Sequence, residues 1–106
     1  MKNINKNQIL IYLKSKKEFF NHNLNIEKIG LFGSYAKGTN HLSSDIDLIL
    51  KFKESYLLSC DPWDYFNKIN NIKKDIETHF SVHTDILDEQ SDSIYLKSIQ
   101  KEAIYV

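Results

Sequence analysis

Apolar residues in the first fifth of the chain fall at Ile9, Leu10, Leu13 and Phe20, with Lys14, Lys16, Lys17 and Glu18 in the gaps. That spacing keeps the apolar side chains on one side of a helix, and it predicts helix from Ile4 to about His22. Asn21, Asn23 and Asn25 break the pattern, after which Ile26 to Phe32 reads as a short apolar strand running directly into Gly33-Ser34. Asp45 to Phe52 alternates acidic and apolar residues before becoming mostly apolar, which predicts a strand showing carboxylates on one face and core residues on the other. Asp61-Pro62 is a helix-opening pair, and Tyr65, Ile69, Ile72, Ile76 and Phe80 then recur at offsets of four and three. Ser81 to Leu87 reads as a third strand, and Ser91 or Asp92 caps a last helix with Leu96, Ile99 and Ala103 on one side. The predicted order is helix, strand, strand, helix, strand, helix: an α/β domain over residues 1–106, without internal repeat or linker.

Composition narrows the chemistry. With 106 residues, 42% of them hydrophobic, the core is modest, so a partner or self-association is expected, as a homo-oligomer or a hetero-oligomer. Lys+Arg and Asp+Glu each number 14, and a net charge of zero argues against broad nucleic-acid binding. Every basic residue is Lys, so an anion site here must use point charges, hydroxyls and backbone N–H groups instead of a guanidinium fork. The single Cys60, the absence of a signal-like apolar start and the lack of any long apolar run predict a cytoplasmic protein that does not enter a membrane.

Gly33-Ser34 lies where a strand turns into Tyr35-Ala36-Lys37, with Gly38 closing the turn. A residue without Cβ lets backbone N–H groups approach phosphate oxygens, although an ordinary tight turn has the same sequence. Asp45 and Asp47 are two apart on a predicted strand, so both carboxylates leave the same face. Their repulsion is relieved by a divalent cation or, at an exposed strand start, by solvent. Asp85, within the third strand, is hard to explain as core, and three carboxylates converge if the second and third strands are neighbours. Of the four histidines, only His83 should share a strand face with Asp85; none forms a zinc-spaced set with Cys60. Trp63, Tyr65 and Phe66 read as core or partner-contact residues, and Ser43 and Ser44 as turn formers.

Gly33-Ser34-Tyr35-Ala36-Lys37-Gly38, then Asp45-Ile46-Asp47-Leu48, then Asp85, resembles the minimal nucleotidyltransferases of the DNA polymerase beta superfamily, and the resemblance spans the whole chain. It implies the nucleotidyltransferase fold: a small mixed sheet with helices packed on one face and the site on the other. It further implies that Asp45, Asp47 and Asp85 are catalytic and hold two Mg²⁺ ions, or Mn²⁺, and that Gly33 and Ser34 bind the β- and γ-phosphates of ATP. Lys37 and Gly38 would complete the nucleotide site, Lys37 standing where the family most often has Arg. Members of this group are usually antitoxins encoded beside a HEPN ribonuclease toxin, and they silence it by transferring AMP to a tyrosine. The resemblance implies that activity and that partner. Two alternatives stand beside it: an antitoxin that inhibits by binding alone, and a nucleotidyltransferase acting on an RNA end or a small hydroxylated compound.

Overall fold

The computed structural model describes residues 4–91 and 93–106. Its elements are α1 (Lys6–Leu24), β1 (Ile26–Phe32), α2 (Gly33–Lys37), β2 (Ile46–Phe52), α3 (Glu54–Leu57), α4 (Pro62–Phe80), β3 (Thr84–Asp88), α5 (Leu96–Glu102) and β4 (Ile104–Tyr105). The strands form one sheet in the order β3-β2-β1-β4, in which β1 runs antiparallel to β2 and β4, and β2 runs parallel to β3. This is the mixed α/β architecture expected from the sequence.

The period-two pattern of β2 decides which face carries the site. Ile46, Leu48, Leu50 and Phe52 are fully buried in one cluster with Ile9, Leu13 and Phe20 of α1 and Ile72, Ile76 and Phe80 of α4. Asp47, Ile49 and Lys51 therefore point away from those helices. The alternation separates core from chemistry within a single strand. Helix α1 opens with a capping box in which Asn5 and Gln8 bond each other's backbone N–H, both at 3.0 Å, and it stops at Asn25 in the left-handed conformation (φ 58°). Both long helices carry the apolar stripes predicted for them, with Tyr65 and Ile69 half-buried against the core. Among the described residues, no helix is long and apolar enough to cross a membrane.

The structure departs from the predicted elements in six places. Residues 33–37 form a full helical turn, α2, where only a turn was expected, and the four-residue α3 was not anticipated. Asp61 occupies the N-cap position of α4 without a side-chain bond to the helix, so the start is set by Pro62, whose φ suits the first turn. Ser81 belongs to the end of α4, in the left-handed region at φ 55° with its N–H on the Glu77 carbonyl at 2.7 Å, and β3 begins at Thr84. Helix α5 starts only at Leu96, behind Tyr95; Ser91 lies in a turn on the Asp88 carbonyl, and Asp92 lies outside the described residues. Ala103 is extended (φ −64°, ψ 140°) and leads into β4 instead of closing the helix.

Beside β4, Gly30 has no room for a side chain: a Cβ would stand 3.0 Å from the Tyr105 ring and 3.1 Å from the Ile104 carbonyl. Glu89 ties this edge down, accepting from Gln100 at 2.7 Å and from the Tyr105 hydroxyl at 3.2 Å. Burial and this carboxylate push the Tyr105 hydroxyl up to about 12.

Since Ile76 is fully buried between α4 and the sheet, Ile76→Ala is expected to lower unfolding free energy by about 2–5 kcal/mol, the usual cost of a cavity of that size, measured by urea denaturation.

Candidate active site

The carboxylates meet because β2 and β3 pair in parallel with Asp47 opposite Asp85. One residue earlier, the Ile46 N–H donates to the His83 carbonyl at 2.9 Å, which fixes the entry of β2 against the entry of β3. Asp45 sits just before the strand, at the end of a loop shaped by its own side chains. The His41 N–H donates to the Ser44 hydroxyl at 2.8 Å, the Ser44 N–H returns to the His41 carbonyl at 3.0 Å, and the Ser43 hydroxyl lies 2.9 Å from His41 Nδ1. Ser43 and Ser44 thus form the turn that delivers Asp45, as their sequence position suggested.

One oxygen of Asp45, one of Asp85 and one ring nitrogen of His83 lie within 4.8 Å of one another, and all three residues are solvent-exposed. His83 Nδ1 is 3.5 Å from Asp45 Oδ2 and 3.9 Å from Asp85 Oδ1, while Nε2 is 4.0 Å from Glu77 Oε2 on α4. Glu77 is held by the Thr84 N–H at 2.9 Å. Nothing in the sequence marked Glu77, which occupies an ordinary polar position of a helix.

Asp47 is half-buried and turns toward Gly33. Its Oδ2 occupies the space where a Cβ on residue 33 would stand, and its Cγ is 3.0 Å from that point. Gly33 also has φ 78°, in the left-handed region, so both close approach and backbone conformation require glycine there. Burial first, then repulsion from Asp85 and Asp45, holds the Asp47 carboxyl above the usual carboxylate range, with His83 opposing.

Carboxylate oxygens gathered at one end of the sheet, with one of them made costly to ionise, are a donor set that a small divalent cation satisfies. Asp45 and Asp85, together with His83, bring donor atoms within reach of one such ion, while Asp47 lies opposite Asp85 with its carboxylate turned to Gly33. Ser34 lies in the first turn of α2, where N–H groups lack helical partners. At the other end of α2, Gly38 (φ 74°) caps the turn through its N–H, and Lys37 forms an ion pair with Glu102 of α5 at 3.4 Å. The sequence-predicted residues therefore divide into a cluster at Asp45, Asp47, Asp85 and Gly33, with Ser34 beside it, and a distal pair, Lys37 and Gly38, that shapes α2.

Two open cavities lie at this end of the fold. One of about 480 Å³ is lined by Tyr35, the 40–42 loop, Ser81 and Val82, adjoining the chain that leads into His83. A slightly larger one, about 530 Å³, lies between α1 and the end of α4 around Ile11, Tyr12 and His79, and none of the carboxylates above lines it.

Known proteins resemble this chain in sequence and in fold. The family model described as polymerase beta, nucleotidyltransferase, matches residues 14–106. Two proteins of Methanocaldococcus jannaschii, each named "putative protein adenylyltransferase", are similar in sequence. One is 32% identical over 98 residues, covering 89% of this chain and 90% of its own, and the other is 40% identical over 74 residues, covering 68% and 85%. Among solved structures, one described as a "putative minimal nucleotidyltransferase" superposes with a TM-score of 0.72 at 20% identity over 98% of both chains. Another, described as a toxin-antitoxin with AMP-PNP, superposes with a TM-score of 0.61 at 22% identity over 96% of this chain and 72% of that one.

Gly33→Ala is expected to destabilise the fold by at least ~1–2 kcal/mol, from the left-handed backbone alone, and to expel Asp47 from its position; thermal melts and carboxylate NMR shifts check both effects. Asp47 makes a second prediction. In metal-free protein its raised pKa keeps a proton on the folded state that the unfolded chain has already released, so this group's contribution to stability falls as pH rises from the ordinary Asp range through the raised value. Asp47→Asn removes that loss. In chelator at neutral pH the variant is expected to melt above the parent, and the gap should close on acidification below about pH 4.

Proposed function

The chain belongs to the polymerase beta nucleotidyltransferase family, and from that premise we propose that it transfers AMP from ATP to a hydroxyl group of a partner protein, a tyrosine of a HEPN ribonuclease toxin. The observation that carries this reading is the register that sets Asp47 of β2 opposite Asp85 of β3, with Asp45 at the entry to β2, beside the positive-φ turn at Gly33. Relatives named as protein adenylyltransferases, and a toxin-antitoxin structure of the same fold, support the choice of a protein acceptor. So does a net charge of zero, since a protein acceptor needs no basic channel for a nucleic acid.

In this reading the acceptor oxygen bonds to the α-phosphorus while the bond to the bridging oxygen of the β-phosphate breaks, and pyrophosphate leaves with that electron pair. Asp85, exposed at the mouth of the site, takes the acceptor proton on a carboxylate oxygen. Asp45, Asp47 and Asp85 would hold two divalent cations, Mg²⁺ or Mn²⁺, which when bound would supply positive charge to offset that of the triphosphate. Gly33 and Ser34 receive the β- and γ-phosphates on backbone N–H groups and the Ser34 hydroxyl, in the first turn of α2. Gly38 keeps that turn closed. Lys37 brings its charge to the triphosphate only by leaving Glu102, an exchange open to an exposed ion pair worth at most about 1 kcal/mol.

The partner surface is expected near the site, where Leu42 is 90% exposed on the loop that delivers Asp45. A partner that covers Leu42 would also bring its hydroxyl to the carboxylates.

The test is to incubate the protein, Mg²⁺ and α-phosphate-labelled ATP with lysate of its own host. Label is expected in a small, protease-sensitive band. Asp47→Ala should reduce it by more than ~100-fold, beyond the loss usual for groups that only orient a metal ligand. Label removed by ribonuclease would move the acceptor to RNA. Rescue from the neighbouring toxin that survives Asp47→Ala would instead establish inhibition by binding alone.

A further inference from the structure

The carboxylate cluster contains a nitrogen atom that the transfer reaction above does not use. His83 stands two residues before Asp85, and its Nδ1 faces both Asp45, at 3.5 Å, and Asp85, at 3.9 Å. The position is set by backbone: the His83 carbonyl accepts the Ile46 N–H at 2.9 Å, so residue 83 is locked to the entry of the strand that carries Asp47. The other ring nitrogen, Nε2, faces Glu77 at 4.0 Å, and Glu77 is itself anchored on the Thr84 N–H at 2.9 Å. A carboxylate on the far side of an imidazole favours the tautomer with its proton on that side, leaving the near nitrogen's lone pair free for a cation. Asp45, His83 and Asp85 together form the only group of three or more His, Cys, Asp or Glu side chains among the described residues whose donor atoms lie mutually within 4.8 Å.

We propose that His83 is a metal ligand, and that the mixed nitrogen–oxygen set of Asp45, His83 and Asp85 selects a first-row transition ion, Mn²⁺, over Mg²⁺. The inference rests on the reading of the aspartates as metal ligands, and adds to it the donor that decides which ion is held. Mg²⁺ gives up its hydration water reluctantly and prefers oxygen. Mn²⁺ accepts imidazole beside carboxylate, and replacing one oxygen donor by nitrogen therefore favours it selectively. An all-aspartate site would offer no such preference beyond the general affinity order.

The experiment uses the whole chain, stripped with chelator and titrated with Mn²⁺ alone, the free ion being followed by its electron paramagnetic resonance signal and Mg²⁺ being added as competitor. Pulsed resonance on the loaded protein then reads nitrogen nuclei coupled to the bound Mn²⁺. A directly coordinated ¹⁴N is expected in the parent and in His22→Gln, whose exposed histidine lies on α1. In His83→Gln the coupling should vanish, Mn²⁺ affinity should fall by about 10-fold or more, and Mg²⁺ affinity should change by less than about 3-fold. His83 is exposed, so the variant should keep the parent's melting temperature in chelator, which separates lost ligation from lost fold. Bound Mn²⁺ without nitrogen coupling, coupling that survives His83→Gln, or an unchanged Mn²⁺-to-Mg²⁺ ratio in that variant would overturn the assignment of His83 while leaving the three aspartates as an oxygen site. Failure of the parent to bind either ion would overturn the metal-dependent reading as well.

Discussion

The parallel pairing of β2 with β3 is the constraint on which the rest of the molecule turns. It sets Asp47 opposite Asp85, and the bond from the Ile46 N–H to the His83 carbonyl fixes the same register one step earlier. A slip of one residue would send each aspartate to the opposite face, burying carboxylates against α1 and α4 and exposing Leu48 and Leu50. Hydrophobic burial of one face therefore enforces electrostatic repulsion on the other. The core supplies the free energy that holds like charges together.

Much of this was legible in the sequence because it rests on periodicity. The stripes of α1 and α4, the alternation of β2, and the expectation that Asp85 would join Asp45 and Asp47 all follow from side-chain spacing, together with the assumption that the second and third strands are neighbours. The glycine turn at Gly33-Ser34 suggested phosphate binding and the Asp45, Asp47 pair a divalent cation, but neither reading revealed that the Asp47 side chain occupies the space of the Cβ that Gly33 lacks. That contact depends on the turn of α2, which five residues of mixed character do not announce.

The remaining differences have a common physical origin. α3, β4 and the start of α5 are short, and their conformations are decided by tertiary partners more than by local preference. Ile104 and Tyr105 become a strand because Gly30 leaves room beside β1, and Glu89 anchors the same edge. Lys37 looked like a phosphate ligand from its place in the turn, yet it is paired with Glu102, a residue sixty-five positions later that no local reading connects to it. Glu77 similarly gains its relation to His83 only because α4 returns the chain to the head of β3.

The crossover that makes β2 and β3 parallel also ties the site to the fold as a whole. Asp45 and Asp85 are joined through the whole of α4, so the donor cluster requires that helix to return the chain and the first residues of β3 to pair beside β2. The cluster of Asp45, His83 and Asp85 therefore belongs to no local element: it exists only through contact between segments about forty residues apart, and anything that loosens α4 from the sheet disperses it.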